Sequence, residues 1–208
     1  MPQAVSPRTR TRLPKEVRRR NILEAAVDVF GRSGYRDGSL QEIADQAGMT
    51  VPGLLHYFPS KVDLLLATLM ERERAQREAF AADGGRSTFA LGRAVLRRNL
   101  EQPGIMRLRM TLTAEATAPD HPAHPHMSQR YRETTETFTA SLREDVTAGR
   151  IGPSVSAPAI APALIAVMDG LQMQYLLDEH FDLLAAYEAG TVGLLQMTAA
   201  QLEACRAR

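Results

Sequence analysis

Apolar positions along the chain recur at helical spacing almost from end to end. Ile22, Ala26, Val29 and Phe30 fall at i, i+4, i+7 and i+8, a single stripe that predicts a helix from Glu16 to Gly34. Gly34 closes it, because glycine takes a left-handed cap without strain. Short, well-punctuated elements follow. Ser39-Leu40-Gln41-Glu42 reads as a capping box opening a helix that stops at Gly48. Thr50 is a second N-cap, with Pro52 in the first turn of a helix ending near Phe58-Pro59. Ser60 caps a longer helix whose apolar face is Val62, Leu65, Leu66 and Leu69.

The remainder repeats this pattern with no alternating strand signal. Helices are expected over Phe89–Leu100, closed by Pro103-Gly104, and from Ile105 to about Thr117. Pro119 to Pro125 reads as a loop. A long helix carries Met127, Tyr131, Thr134, Phe138, Leu142 and Val146 and ends at Gly149. Another carries Ile160, Leu164, Met168, Leu171 and Tyr175, and a last one runs from Asp182 through Tyr187 and Leu195 to Leu202. The fold class is therefore all-α, with about nine helices. The expected division is an arm over residues 1–14, a small helical unit over 15–80, and a larger helical bundle over 86–205.

Composition changes the picture in one place. The 208 residues are 44% hydrophobic and 24% charged, as in an ordinary globular protein, and net charge is only +1. Residues 1–20 hold seven basic groups against Glu16 alone, so they carry +6 and the rest carries −5. A basic end on a mildly acidic body fits contact with phosphates; a solvated tail is the plainer reading. Cys205 stands alone, so no internal disulfide forms. The uncharged stretch Ile151 to Met168 is interrupted by Pro153, Pro158 and Pro162, a poor membrane span, and the basic N-terminus lacks an apolar segment behind it. A cytoplasmic location without membrane contact is expected.

The segment Ser39 to Lys61, SLQEIADQAGMTVPGLLHYFPSK, has the form of a helix-turn-helix. Ala44 lets the two helices cross closely, and Gly48 allows the turn. The capped N-terminus at Thr50 directs a positive dipole end outward, which places Val51, Pro52 and Gly53 as candidates for base-edge contact. The sequence resembles the TetR family of bacterial regulators, whose signature is similar to Ile-Ala-x-x-Ala-Gly-Val-Ser, a short spacer, then Tyr-x-x-Phe-x-x-Lys. Ile43, Ala44, Ala47, Gly48, Thr50, Phe58 and Lys61 match, with Met49 in place of Val. The run Phe30-Gly31-Arg32-Ser33-Gly34-Tyr35 is also similar to the family.

The resemblance implies phosphate contacts from Ser39, Thr50, Tyr57 and Lys61. It departs at Leu55, where the family usually has Tyr, so a phenolic contact is lost; His56, Tyr57 or an arginine arm is expected to compensate. Val51 and Pro52 suit a thymine methyl, while Arg8, Arg10 and Arg12 suit a minor groove. Phe58 is expected in the core, and packing or a solvated charge competes with DNA contact at Tyr57 and Lys61. The resemblance also implies a bundle that dimerises through its last helices, where Gly170, Ala186, Ala189, Gly190 and Gly193 permit close approach. A ligand cavity is expected to draw on Met106, Met110, Met127, Tyr131, Met168, Met173 and Tyr175. The partners so implied are a double-stranded DNA operator, a second copy of the chain and an unidentified small-molecule effector, in a repressor released by its ligand. No cofactor is called for. Glu115, His121, His124 and His126 invite a metal, but a Pro-rich loop lacks the spacing that fixes ligand geometry, and a polar loop is the preferred reading. A non-specific DNA-organising protein is the main alternative. An enzyme is the least favoured, since no Gly-rich phosphate loop, nucleophile elbow or paired metal motif occurs.

Overall fold

A computed structural model describes residues 13–82 and 87–206, which form ten helices and no strand. In chain order these are α1 (Lys15–Asp37), α2 (Leu40–Gln46), α3 (Val51–Tyr57), α4 (Lys61–Ala82), α5 (Thr88–Leu100), α6 (Pro103–Glu115), α7 (His124–Thr147), α8 (Ala157–Leu177), α9 (Leu183–Leu194) and α10 (Ala199–Arg206). The all-α expectation holds. The expected single last helix is two, because the chain turns at Leu195–Thr198 with Gln196 at φ 50 and the Leu195 carbonyl accepting from the Gly152 amide at 3.0 Å. Leu194, Leu195 and Leu202 keep helical spacing across that break, so periodicity alone runs through it.

α1, α2, α3 and α4 enclose a first core in which Ile22, Ala26, Val29, Phe30, Ile43 and Leu54 are fully buried. The backbone of α1 breaks at Gly34, where φ is +73, as its glycine predicts. Three local expectations need correction. Ser39 caps α2 by accepting from Gln41 N, not Glu42 N, and Glu42 instead receives the Arg32 guanidinium at 2.8 Å. On α4 the buried face is Leu64, Leu65, Thr68 and Leu69, with Val62 and Leu66 only half-buried. His124, Pro125 and His126 form the first turn of α7 rather than loop, since proline there forfeits no helical amide bond.

α5, α7, α8 and α9 surround a second core of Phe89, Leu142, Leu164 and Tyr187. The Tyr187 ring stacks on Phe89 at 5.6 Å between centroids, and its hydroxyl donates to the Phe89 carbonyl at 3.1 Å. Fully buried Asp145 on α7 accepts from the first amide of α5, Thr88 N, at 2.6 Å and from Arg150 Nε at 2.5 Å, pinning the start of α5 to the end of α7. α8 runs unbroken through Pro158 and Pro162. The first lies where no amide bond is needed, and the second forfeits one. This helix is long and apolar enough to cross a membrane by length and composition, the one such helix among the described residues. It is packed between α7 and α9.

α6 joins the two halves. Its Ile105, Leu108 and Leu112 belong to the first core, not the second. Its first turn lies directly on α1: a Cβ on Gly104 would stand 1.6 Å from the Gly31 carbonyl oxygen, so only glycine admits this approach. Gly104→Ala is therefore expected to lower stability by about 1–3 kcal/mol or more, a fall of roughly 2–4 °C in thermal midpoint for each kcal/mol. An unchanged circular-dichroism melt would show that α1 and α6 do not meet so closely.

Candidate nucleic-acid interface and internal cavity

Local chemistry sets the helix-turn-helix. Gly48 holds φ +66 between α2 and α3, a conformation that a side chain resists. Thr50 Oγ1 accepts from Gly53 N at 3.3 Å, capping α3. The Ser60 hydroxyl accepts from Asp63 N at 3.1 Å, capping α4, and donates to the Asp63 carboxylate at 2.8 Å. Leu54 and Phe58 (0% and 4% exposed) face inward and anchor α3. That leaves Thr50, Pro52 and His56 exposed, and Val51, Gly53, Leu55 and Tyr57 half-exposed. Val51 and Tyr57 also pack on the core margin. Ser39 is exposed at the head of α2. The leading turn of α3 is thus partly solvent-accessible, with the Gly53 amide capped by Thr50 and the positive end of the helix dipole at that end.

Several basic groups near the helix-turn-helix are engaged within the protein. Arg18 donates to the Ala47 carbonyl at 3.1 Å, Arg19 lies 5.5 Å over the Phe58 ring, and Arg32 reaches both Asp28 and Glu42, so all three brace the helices. Lys61 Nζ donates to the Arg36 carbonyl at 3.0 Å and sits 4.9 Å from the Tyr35 ring centre. Burial lowers its pKa, with Asp37 opposing. A lysine at a helix start is explained here by that carbonyl and ring, in addition to any phosphate. Arg8, Arg10 and Arg12 lie outside the described residues.

A cavity of about 130 Å³ opens between α4, α5, α6, α7 and α8. Leu91, Val95, Phe138, Ile165 and Met168 give it an apolar wall. Its charged groups are mostly satisfied: Arg130 and Glu73 pair at 2.5 Å, and the Tyr131 hydroxyl donates to Asp169 at 2.7 Å. Burial and that bond raise the Tyr131 pKa to about 12. Arg109 differs. Its Nη2 donates to Gln172 Oε1 at 2.5 Å, yet Nε is buried with no acceptor. Burial first, then Arg130, lowers its pKa to about 10, so the guanidinium is still charged at pH 7.

Of the residues expected at a cavity, the structure brings Met168 to its wall and Tyr131 to its edge through Asp169. Met106 lines a smaller neighbouring pocket beside Arg109, Met127 lies in the first core, and Met110 is buried elsewhere on α6. Tyr175 packs against the second core, and Met173 is 44% exposed. The charged part of the wall, Glu73, Arg109, Arg130 and Asp169, carries no apolar signature in the sequence. The imidazoles beside Glu115 close the α6–α7 connection: His121 Nδ1 accepts from Ala123 N at 3.1 Å, and His124 Nδ1 lies 2.8 Å from the Ala116 carbonyl. No group of three His, Cys, Asp or Glu among the described residues is placed to hold a metal.

Comparison with known proteins decides the class. Residues 22–68 match the family described as bacterial regulatory proteins, tetR family, and residues 88–198 match the C-terminal domain of BetI-type transcriptional repressors. The chain belongs to the TetR family. That family is one of bacterial regulatory proteins. Among curated relatives, the transcriptional activator FasR of Mycolicibacterium smegmatis is 47% identical over 58 residues, 28% of this chain and 26% of FasR. The repressor KstR of the same organism is 33% identical over 101 residues, 45% of this chain and 48% of KstR. The matched segments thus span between a quarter and a half of those relatives. Whole-chain likeness comes from solved TetR-type folds. A regulator from Saccharomonospora viridis in complex with choline superposes with TM-score 0.71 at 22% identity, covering 88% of this chain and 97% of that one. FadR from Bacillus subtilis in complex with stearoyl-CoA gives 0.64 at 18%, covering 85% and 97%.

In this TetR chain the α3 cap is the feature most open to direct measurement. Thr50→Ala is expected to cost about 1 kcal/mol in chemical denaturation, and Thr50→Ser to restore most of it. Equal midpoints for all three proteins would mean the cap is not made.

Proposed function

We propose that the chain is a dimeric repressor that leaves its operator when a small molecule fills the cavity. Residues 15–80 form the DNA-binding unit and residues 86–205 the sensing and dimerising unit. One observation carries the coupling: α6 walls the cavity with Arg109 and, one turn earlier, lies backbone-to-backbone on α1 at Gly31 and Gly104. α4 makes a second link, running from Lys61 beside the recognition helix to Glu73 in the cavity wall. A ligand that favours one placement of α6 over another then biases the spacing of the two DNA-binding heads. The solved relatives holding choline and stearoyl-CoA support a ligand-carrying role for this fold.

DNA contact falls to the outward turn of α3 (Val51, Pro52, Gly53), flanked by Leu55, His56 and Tyr57, with Ser39, Thr50 and Lys61 on phosphates. The arginine arm (Arg8, Arg10, Arg12) adds non-specific attraction. Dimerisation uses the outer faces of α8 and α9. There Ala166, Gly170, Met173 and Leu177 form an exposed stripe at helical spacing, with Leu177 83% exposed, beside Ala189, Gly190 and Gly193. Two copies so joined present recognition helices to successive major grooves, roughly 34–36 Å apart. A cytoplasmic location without membrane contact accompanies this role.

Footprinting on the DNA upstream of the chain's own gene is the test. Protection of two half-sites that survives excess random DNA is expected; protection erased equally by random DNA would favour a non-specific DNA-organising protein. Lys61→Met is expected to weaken binding and to lower the slope of log affinity against log salt by about 0.9, with little change in thermal midpoint. An unaltered slope would assign Lys61 to the Arg36 carbonyl alone.

A further inference from the structure

Of the two guanidiniums lining the cavity, Arg109 is the one that makes no close ion pair among the described residues; Asp169 and Glu73 act on it only through space. Its relative exposure is 9%, it makes no ion pair, and Nε has no acceptor at all. Gln172 does not neutralise it. That amide is already fixed, its Oε1 shared between Arg109 and Asn99 Nδ2 at 2.8 Å and its Nε2 bonded to the Met168 carbonyl at 2.9 Å. A buried guanidinium held in place by a neutral amide, with a free donor, is a costly arrangement unless an anion completes it.

The remaining lining fixes what kind of anion fits. Glu73 is matched by Arg130, and Asp169 takes the Tyr131 hydroxyl, so both acids are occupied. Glu133 stands exposed and bonded to Gln129. Three carboxylates against Arg109 and Arg130 leave the lining net negative, so an anionic guest is held only where its charge meets Arg109 directly, and a second charge, as on a phosphate dianion, is disfavoured further. The volume of about 130 Å³, in a cavity that opens to solvent, is close to the roughly 150 Å³ of an engineered apolar cavity that admits benzene.

Taking the cavity as the effector site proposed above, we infer that its ligand is a small organic monocarboxylate. The carboxylate accepts from Arg109, and a ring or short aliphatic body lies against Val95, Phe138, Ile165 and Met168. Charge-assisted hydrogen bonding supplies the preference for the acid over its neutral isostere.

The experiment uses the full chain, with phenylacetate and hexanoate compared against phenylacetamide, hexanamide, phenyl phosphate and choline by calorimetry and thermal shift. At least one carboxylate is expected to bind about tenfold or more tightly than its amide, and Arg109→Gln is expected to erase that difference. The wild-type comparison decides the matter even where the variant fails to fold. Equal or tighter binding of the amides, of choline or of the phosphate overturns the assignment, as does the absence of binding by both carboxylates. Operator titration in the same samples separates the two proposals. Carboxylate binding that leaves DNA affinity unchanged sinks the effector role and spares the ligand class; release by choline but not by carboxylates does the reverse.

Discussion

The contact between the backbones of Gly31 and Gly104 sets the relation of every other part. It brings α6 close enough to α1 for Ile105, Leu108 and Leu112 to complete the first core. With that face committed, the flank of the same helix carries Arg109 against α8 and into the cavity. Packed interiors shift between discrete arrangements rather than deform smoothly. In the proposed mechanism, a displacement of α6 by cavity contents would be felt at α1 through this contact.

Where the governing chemistry is local, the structure could be read from the chain. Thr50 and Ser60 cap amides three residues away, and Gly48 meets a demand of its own backbone; each needs no distant partner. The stripe of Ile22, Ala26, Val29 and Phe30 was equally plain, because burial of one helical face leaves a periodic mark. The capping box at Ser39 misled for the opposite reason. Glu42 had a better partner than its own helix start, Arg32 of α1, which sequence spacing does not reveal.

The cavity was legible only in outline. Arg109 follows Arg107 by two positions, a pattern that reads as a solvated edge, and its burial is made by residues on other helices. Methionine and tyrosine content pointed to soft apolar surface, but Met127 and Met173 lie on faces turned to the first core and to solvent. The divide between α9 and α10 is likewise tertiary, fixed by the Leu195 carbonyl meeting Gly152.

The sharing of the first core bears on modular engineering. Cut after α4, the N-terminal helices would leave the face of α1 that meets α6 without the covering supplied by Ile105, Leu108 and Leu112. The helices α1–α4 are contiguous in primary structure, but the core they enclose is completed by α6. A chimera that fuses these helices to a foreign partner would inherit a bare apolar flank unless the partner's corresponding helix were remodelled to cover it.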